Sequence, residues 1–339
     1  MASGLSVLTN QLWRQWSRKV GSLWPNDSNS QVHKPILSAQ QITELASELS
    51  HLAMSFPVNP LNSEALRQGE QSSRFMGAGL EYEESRPYQI GDEIRRINWR
   101  LMAKTGRAYT KLYQEERQEN SFILLDQRQT MRFGTRKRLK AEQALRAAGY
   151  YLWVAQQTGT PVEGARLAES VYYTPTFEGR SSFEQMMARF SQPCPPVSQT
   201  EFEPHINDVL LDLTHRIQPG SRLVLISDFY DLNQKTVEIL TALTHLADIQ
   251  AIWVQDSAER ILPNQPSIEL QSMVDGQRYT LSTAKAHSTY RAWSQAHFAN
   301  KQTQLKAAGA TVKTLMSDAS LRVLLQQGDV LIGQGGSNE

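Results

Sequence analysis

Cysteine is nearly absent from this 339-residue chain: Cys194 stands alone, between Pro193 and Pro195-Pro196. A single thiol excludes an internal disulfide framework and a multi-cysteine zinc site, and it fits a reducing compartment. Long apolar runs are also missing. The longest are short stretches such as 122–125, far below the roughly 18–20 residues that a membrane span needs. Charge of one sign is missing too, since the net charge is +1, which argues against nucleic-acid tracking or an acidic lipid surface as the main partner. There is no Walker A loop, and Gly77-Ala78-Gly79 is too short for a dinucleotide fingerprint and follows no apolar strand. The seven histidines form no zincin pair, and no serine sits in a nucleophile elbow. A nuclease needs clustered carboxylates, and only Asp126 and Asp228 present themselves.

What is present is ordinary for a globular protein: 40% hydrophobic and 20% charged residues, on a length that allows two domains. Residues 1–60 read as a helical lead-in. Leu5, Leu8, Leu12, Trp13, Trp16, Val20 and Leu23 recur at helical spacing, interleaved with Arg14, Arg18 and Lys19, which is not the pattern of a secretory signal. Such a helix packs on its own protein, or it makes a peripheral contact with a membrane surface. After a polar linker, a second helix is predicted over 38–54, with Ser38 as its cap and Ile42, Leu45, Leu49 and Leu52 along one face. The composition reads as a cytoplasmic protein.

Residues 61–120 differ in kind. Between Glu81 and Glu119 eight acidic and eight basic residues fall within 39 positions and cancel. Gly91 suits a turn and Asp92 a helix cap, with Ile94, Ile97 and Leu101 as an inward stripe. Two readings stay open for Arg86, Asp92, Arg95 and Arg96. One is a solvated face; the other is a buried network of Arg–carboxylate pairs with Tyr88 and Trp99 packed on guanidinium stems.

From 121 to 330 apolar strands alternate with helices, which predicts an α/β domain with a doubly wound, mostly parallel sheet; 331–339 reads as a disordered tail. A hairpin is predicted about Asp275-Gly276. The two most apolar strands, 121–125 and 222–227, end at Asp126 and Asp228. If they are neighbours, both carboxylates face the crevice where ligands gather in open parallel sheets, and they need a cation or hydrogen-bond donors between them. Each aspartate alone also suits a plain turn.

At this point a resemblance emerges. Ser73-Arg74, Gly77, Gly79, Glu81-Tyr82, Arg86, Tyr88, Gly91-Asp92, Arg95-Arg96-Ile97, Trp99, Ala103, Thr105-Gly106 and Glu116-Arg117, ahead of Leu124-Leu125-Asp126, resemble the domain of unknown function 58 family over roughly residues 70–320. The resemblance implies a von Willebrand factor A-like, Rossmann-like C-terminal domain. It also implies a non-enzymatic adaptor or co-chaperone working with a MoxR-type AAA+ ATPase and a client protein. The resemblance implies that such domains hold Mg²⁺ through a serine- and aspartate-rich loop that is degenerate here: Asp126, Thr130 and Asp228 match its ligands, while Arg128 replaces a ligand serine. The expectation is a metal-free site with Arg128 bridging the carboxylates, because its planar five-donor fork suits that task; an Arg128 turned to solvent is the other outcome. The alternative function is a divalent-metal-dependent hydrolase or nuclease using Asp126 and Asp228, with Mg²⁺ as cofactor.

Overall fold

The computed structural model describes residues 34–55, 81–89, 94–114, 120–193, 203–262, 268–271, 278–281 and 284–326. They fall into two compact units, one within residues 58–118 and one made of the remainder. Among the described residues no helix is long and apolar enough to cross a membrane. The first described helix, α1 (Ala39–Ser55), belongs to the larger unit.

In the smaller unit β1 (Glu81–Pro87) pairs antiparallel with β2 (Tyr109–Gln114), with an irregularity between Tyr82 and Glu84. Between them lie a 3-10 turn (Ile94–Arg96) and α2 (Trp99–Thr105). The Asn98 side chain accepts a hydrogen bond from the Leu101 N–H and caps α2, and Gly106 closes it in the left-handed conformation at φ 67°. Gly91 and Asp92 lie outside the described residues. The inward stripe is corrected: Ile97 is 9% exposed, but Ile94 is 65% exposed. The α-helix begins only at Trp99, so Ile94 stands on a tighter turn and does not share the phase of the helix.

The larger unit follows the expected alternation. Its elements are β3 (Ser121–Asp126), α3 (Lys140–Thr158), β4 (Val162–Leu167), β5 (Val171–Tyr173), α4 (Ser182–Phe190), α5 (Ile206–Arg216), β6 (Ser221–Ser227), α6 (Gln234–Leu243), β7 (Ala247–Gln255) and α7 (Ser257–Arg260). The hairpin strands β8 (Ile268–Gln271) and β9 (Arg278–Leu281) follow, then α8 (Ala284–Ala307), β10 (Thr311–Met316) and α9 (Arg322–Gln326). The turn of that antiparallel hairpin, at Asp275-Gly276, lies outside the described residues. Six strands make one sheet in the order β10-β7-β6-β3-β4-β5, parallel except for the edge strand β5. The fold is a mixed α/β, Rossmann-like one.

Every residue of β3 is buried, as a strand covered on both faces must be. Alternation divides its side chains between two cores. Ile123 and Leu125 join α1, α3 and α4 on one face; Phe122 and Leu124 join α5, α6 and α8 on the other. The α1 cap is reciprocal, since the Gln41 N–H donates to Ser38 Oγ and the Ser38 N–H to Gln41 Oε1. Its buried Leu45 presses on α3 so closely that a Cβ on Gly149 would meet Leu45 Cδ2 at 2.7 Å. Glycine is what lets the two helices approach at that point.

Candidate functional site

β3 and β6 are parallel neighbours, with Ser121 opposite Arg222 and Leu125 opposite Ile226, so their carboxyl ends open onto the same edge. Asp126 closes β3 at 0% exposure, and Asp228 follows β6 at 3%. Burying carboxylates there is unfavourable without compensation, and the compensation comes from three basic side chains.

Arg128 is the first, itself 0% exposed. Its Nε donates to Asp126 Oδ1 at 3.0 Å and its Nη2 to Asp126 Oδ2 at 2.7 Å. On the other side Nη1 donates to Asp231 Oδ2 at 2.5 Å and Nη2 to Asp231 Oδ1 at 3.1 Å. Nη1 also reaches the Pro204 carbonyl, and the guanidinium lies 4.7 Å from the Tyr230 ring centroid. Burial works against the charge of Arg128, yet the two aspartates hold its proton affinity well above the ordinary value. Burial likewise works to raise Asp231, and the guanidinium overcomes it and holds the carboxyl below its usual range. Asp126 is saturated further by Ser227 Oγ, which donates to its Oδ2 at 2.6 Å, and Asp231 by the Ile206 N–H at the start of α5.

Lys140, the first residue of α3, is the second cation. At 0% exposure its Nζ donates to Asp228 Oδ2 at 2.7 Å and Glu259 Oε1 at 2.5 Å. One ammonium shared by two buried carboxylates treats them unequally. Asp228 is pulled below its ordinary pKa by Lys140 despite burial, whereas burial and the nearby Asp228 charge push Glu259 up. Lys301, from α8, is the third, donating from Nζ to the Phe229 carbonyl at 2.6 Å and the Tyr230 carbonyl at 3.1 Å. Its burial pulls the ammonium down to about 8. These carbonyls belong to a tight turn in which Phe229, fully buried, takes φ 49°, a left-handed conformation uncommon for a side chain of that size.

The sequence expectation that Arg128 would bridge Asp126 and Asp228 needs correction. The turn through Phe229 carries Asp231 into the crevice opposite Asp126, and Asp228 instead meets Lys140. Lys140, Glu259, Asp231 and Lys301 escaped the sequence reading. For Lys140 a signal existed: it shares a helical face with Ala144 and Ala148, both 0% exposed.

The donor set does not suit a divalent ion. Each oxygen of Asp126 and Asp231 already accepts at least one hydrogen bond from the protein. Among the described residues no group of three His, Cys, Asp or Glu is arranged to hold a metal. Thr130 is 1% exposed and its Oγ1 finds no hydrogen-bond partner, an oxygen left idle beside the occupied carboxylates in sequence.

Of the signature residues of the smaller unit, Arg86, Tyr88, Arg95 and Trp99 are among the described residues. Arg95 is exposed and Trp99 is 59% exposed. Arg86 and Tyr88 are half-buried; Arg86 Nη1 donates to the Pro87 carbonyl and the Tyr88 N–H to the Ala108 carbonyl. Asp92 and the side chain of Arg96 lie outside the described residues.

The shifts give a pH prediction with two signs. A depressed carboxyl contributes stability above its unfolded pKa of about 3.9 and loses it as pH falls through the folded value, which describes Asp228 and Asp231. A raised one, Glu259, is relieved by protonation as pH falls toward about 4.3. Urea melts from pH 7 downward are therefore expected to show level or slightly rising stability to about pH 5, then steep loss below about pH 4. A steady fall from pH 7 would show that Glu259 is not held in the manner described.

Comparison with solved structures finds a conserved hypothetical protein BatB from Bacteroides thetaiotaomicron. It is 12% identical at a TM-score of 0.39, covering 62% of this chain and 95% of that one. An aerotolerance-related membrane protein from Bacteroides fragilis scores 0.38 at the same identity and coverage. Among sequences, uncharacterized proteins of Mycobacterium tuberculosis and Mycobacterium bovis are 26% identical over 259 residues, 74% of this chain and 78% of theirs. The profile of the family described as protein of unknown function DUF58 matches residues 84–304, which takes in β1 through most of α8, and the chain belongs to that family.

Proposed function

We propose that this protein is a non-enzymatic adaptor or co-chaperone of the cytoplasm, built on a von Willebrand factor A-like domain and working with a MoxR-type AAA+ ATPase on a client protein. The observation that carries the reading is the saturation of Arg128, Asp126 and Asp231 by one another. A general base or nucleophile needs a lone pair free to meet a substrate, and these carboxylates are spent inside the protein. What remains at the rim is a recognition surface, with half-buried Tyr230 and His205, which caps α5 through Nδ1. Ile94 and Trp99, both exposed beside Arg95, supply a second face with the aromatic and basic character that binding hot spots favour.

Immobilised protein is expected to capture a purified MoxR-type ATPase. Tyr230→Ala or Trp99→Ala should weaken capture about tenfold or more, the effect of losing roughly 1.4 kcal/mol of contact. Arg95→Ala should leave stability within about 0.5 kcal/mol of wild type, as for other exposed positions. No capture in ATP, ADP or nucleotide-free buffer would overturn the reading. Divalent-metal-dependent hydrolysis abolished by Asp126→Ala would replace it with the enzyme alternative.

A further inference from the structure

We infer that Arg128 is the resident cation of the carboxyl-edge crevice, occupying the position a divalent ion would take, and that removing its side chain turns the crevice into a divalent-cation site. Two buried carboxylates, Asp126 and Asp231, face a single point from opposite sides. The guanidinium fills that point with all three of its nitrogens donating. His205 Nδ1 lies 3.5 Å from Asp231 Oδ2, while Lys140 is committed to Asp228 and Glu259, and Lys301 to backbone carbonyls.

Without Arg128 the pair would be two unpaired charges in a dry site, a state that a hard cation with oxygen ligands relieves. The oxygens for it are present in Asp126, Asp231 and Ser227 Oγ, which already contacts Asp126. A divalent ion and this arginine are thus mutually exclusive at that point. The wild-type crevice is then indifferent to Mg²⁺ and to chelators, a property of the geometry that is measured without any partner and fails separately from the adaptor reading.

The test compares wild type, Arg128→Ser and Arg128→Ala by thermal melting in EDTA, in millimolar Mg²⁺ or Mn²⁺, and in a few millimolar guanidinium, with Mn²⁺ binding followed by electron paramagnetic resonance. Wild type is expected to melt at one temperature in EDTA and Mg²⁺ and to leave Mn²⁺ free in solution. The variants are expected to melt lower in EDTA, to bind Mn²⁺, and to gain at least about 2–4 °C with saturating divalent ion, by preferential binding to the folded state. Arg128→Ala should also gain from free guanidinium, which restores the missing group itself. Wild type that binds Mn²⁺ through Asp126 overturns the inference, and so do folded variants that ignore both ions. Should Arg128→Ser fail to fold in EDTA, refolding in Mn²⁺ decides: recovery supports the assignment, and no recovery in either divalent ion overturns it.

Discussion

Replacing Lys140 by methionine is expected to cost about 3–5 kcal/mol of stability, the range for breaking a buried ion pair from one side. Methionine keeps most of the side-chain volume at this fully buried position, so the change isolates the charge from the packing. It leaves Asp228 and Glu259 facing each other without the ammonium that reaches both. Part of the loss is recovered by protonating Glu259, whose pKa is already raised, so the variant should look less damaged at pH 5 than at pH 7. Combining Lys140→Met with Asp228→Asn and Glu259→Gln should restore much of what the single change removes, because neutral amides carry a smaller desolvation cost. Denaturant melts of the single and triple variants decide the matter. A single-variant loss under about 1 kcal/mol would show that water reaches the pair.

Trp253→Ala is the second change with a large expected effect, again about 3–5 kcal/mol, from lost burial and the cavity left behind. Trp253 is 2% exposed on β7. Its ring stacks on Phe298 of α8 at 5.2 Å and meets Phe229 edge-on at 6.5 Å. The same indole therefore supports both the helix that supplies Lys301 and the unusual turn whose carbonyls Lys301 grips. Truncation should loosen that turn before the domain unfolds, which amide hydrogen exchange at Phe229 and Tyr230 would report as faster exchange than in the rest of β6. Trp253→Phe keeps most of the contact and should cost less than half as much. Equal losses for the two variants would mean that the stack on Phe298 contributes little.

The architecture was legible where one physical signal dominates. Continuous apolar runs bounded by polar loops identified β3 and β6, and the alternation of strands with helices identified the mostly parallel sheet. Asp126 and Asp228 were placed correctly at neighbouring strand ends, because that follows from strand order alone. The partners of those aspartates were not legible. Their pairing turns on Phe229, whose left-handed backbone has no sequence marker, since glycine or asparagine ordinarily signals such a turn. Lys140, Glu259 and Lys301 were passed over because charged residues are seldom fully buried; the Lys140–Glu259 pair and the carbonyls that Lys301 meets make that burial tolerable. In the charged segment composition alone did not choose between burial and a solvated face, because balanced charge suits both; Arg95 and Trp99 face solvent.

The central position of β3 imposes an order of events during synthesis. Its neighbour β4 follows shortly in the chain, but β6 does not emerge until α3, β4, β5, α4 and α5 have been made. Arg128 waits 103 residues for Asp231, and Lys140 waits 119 residues for Glu259. At ribosomal rates of about 5–20 residues per second, each cation spends roughly 5–20 s without its second carboxylate. A nascent chain at that stage carries an unfinished sheet edge flanked by Arg128, with only Asp126 beside it, and Lys140, with neither of its carboxylates yet made. Edge strands left open in this way invite pairing with other chains, and fixed charge beside them opposes it. The basic groups that later close the crevice thus stand guard over the half-built sheet until its second half arrives.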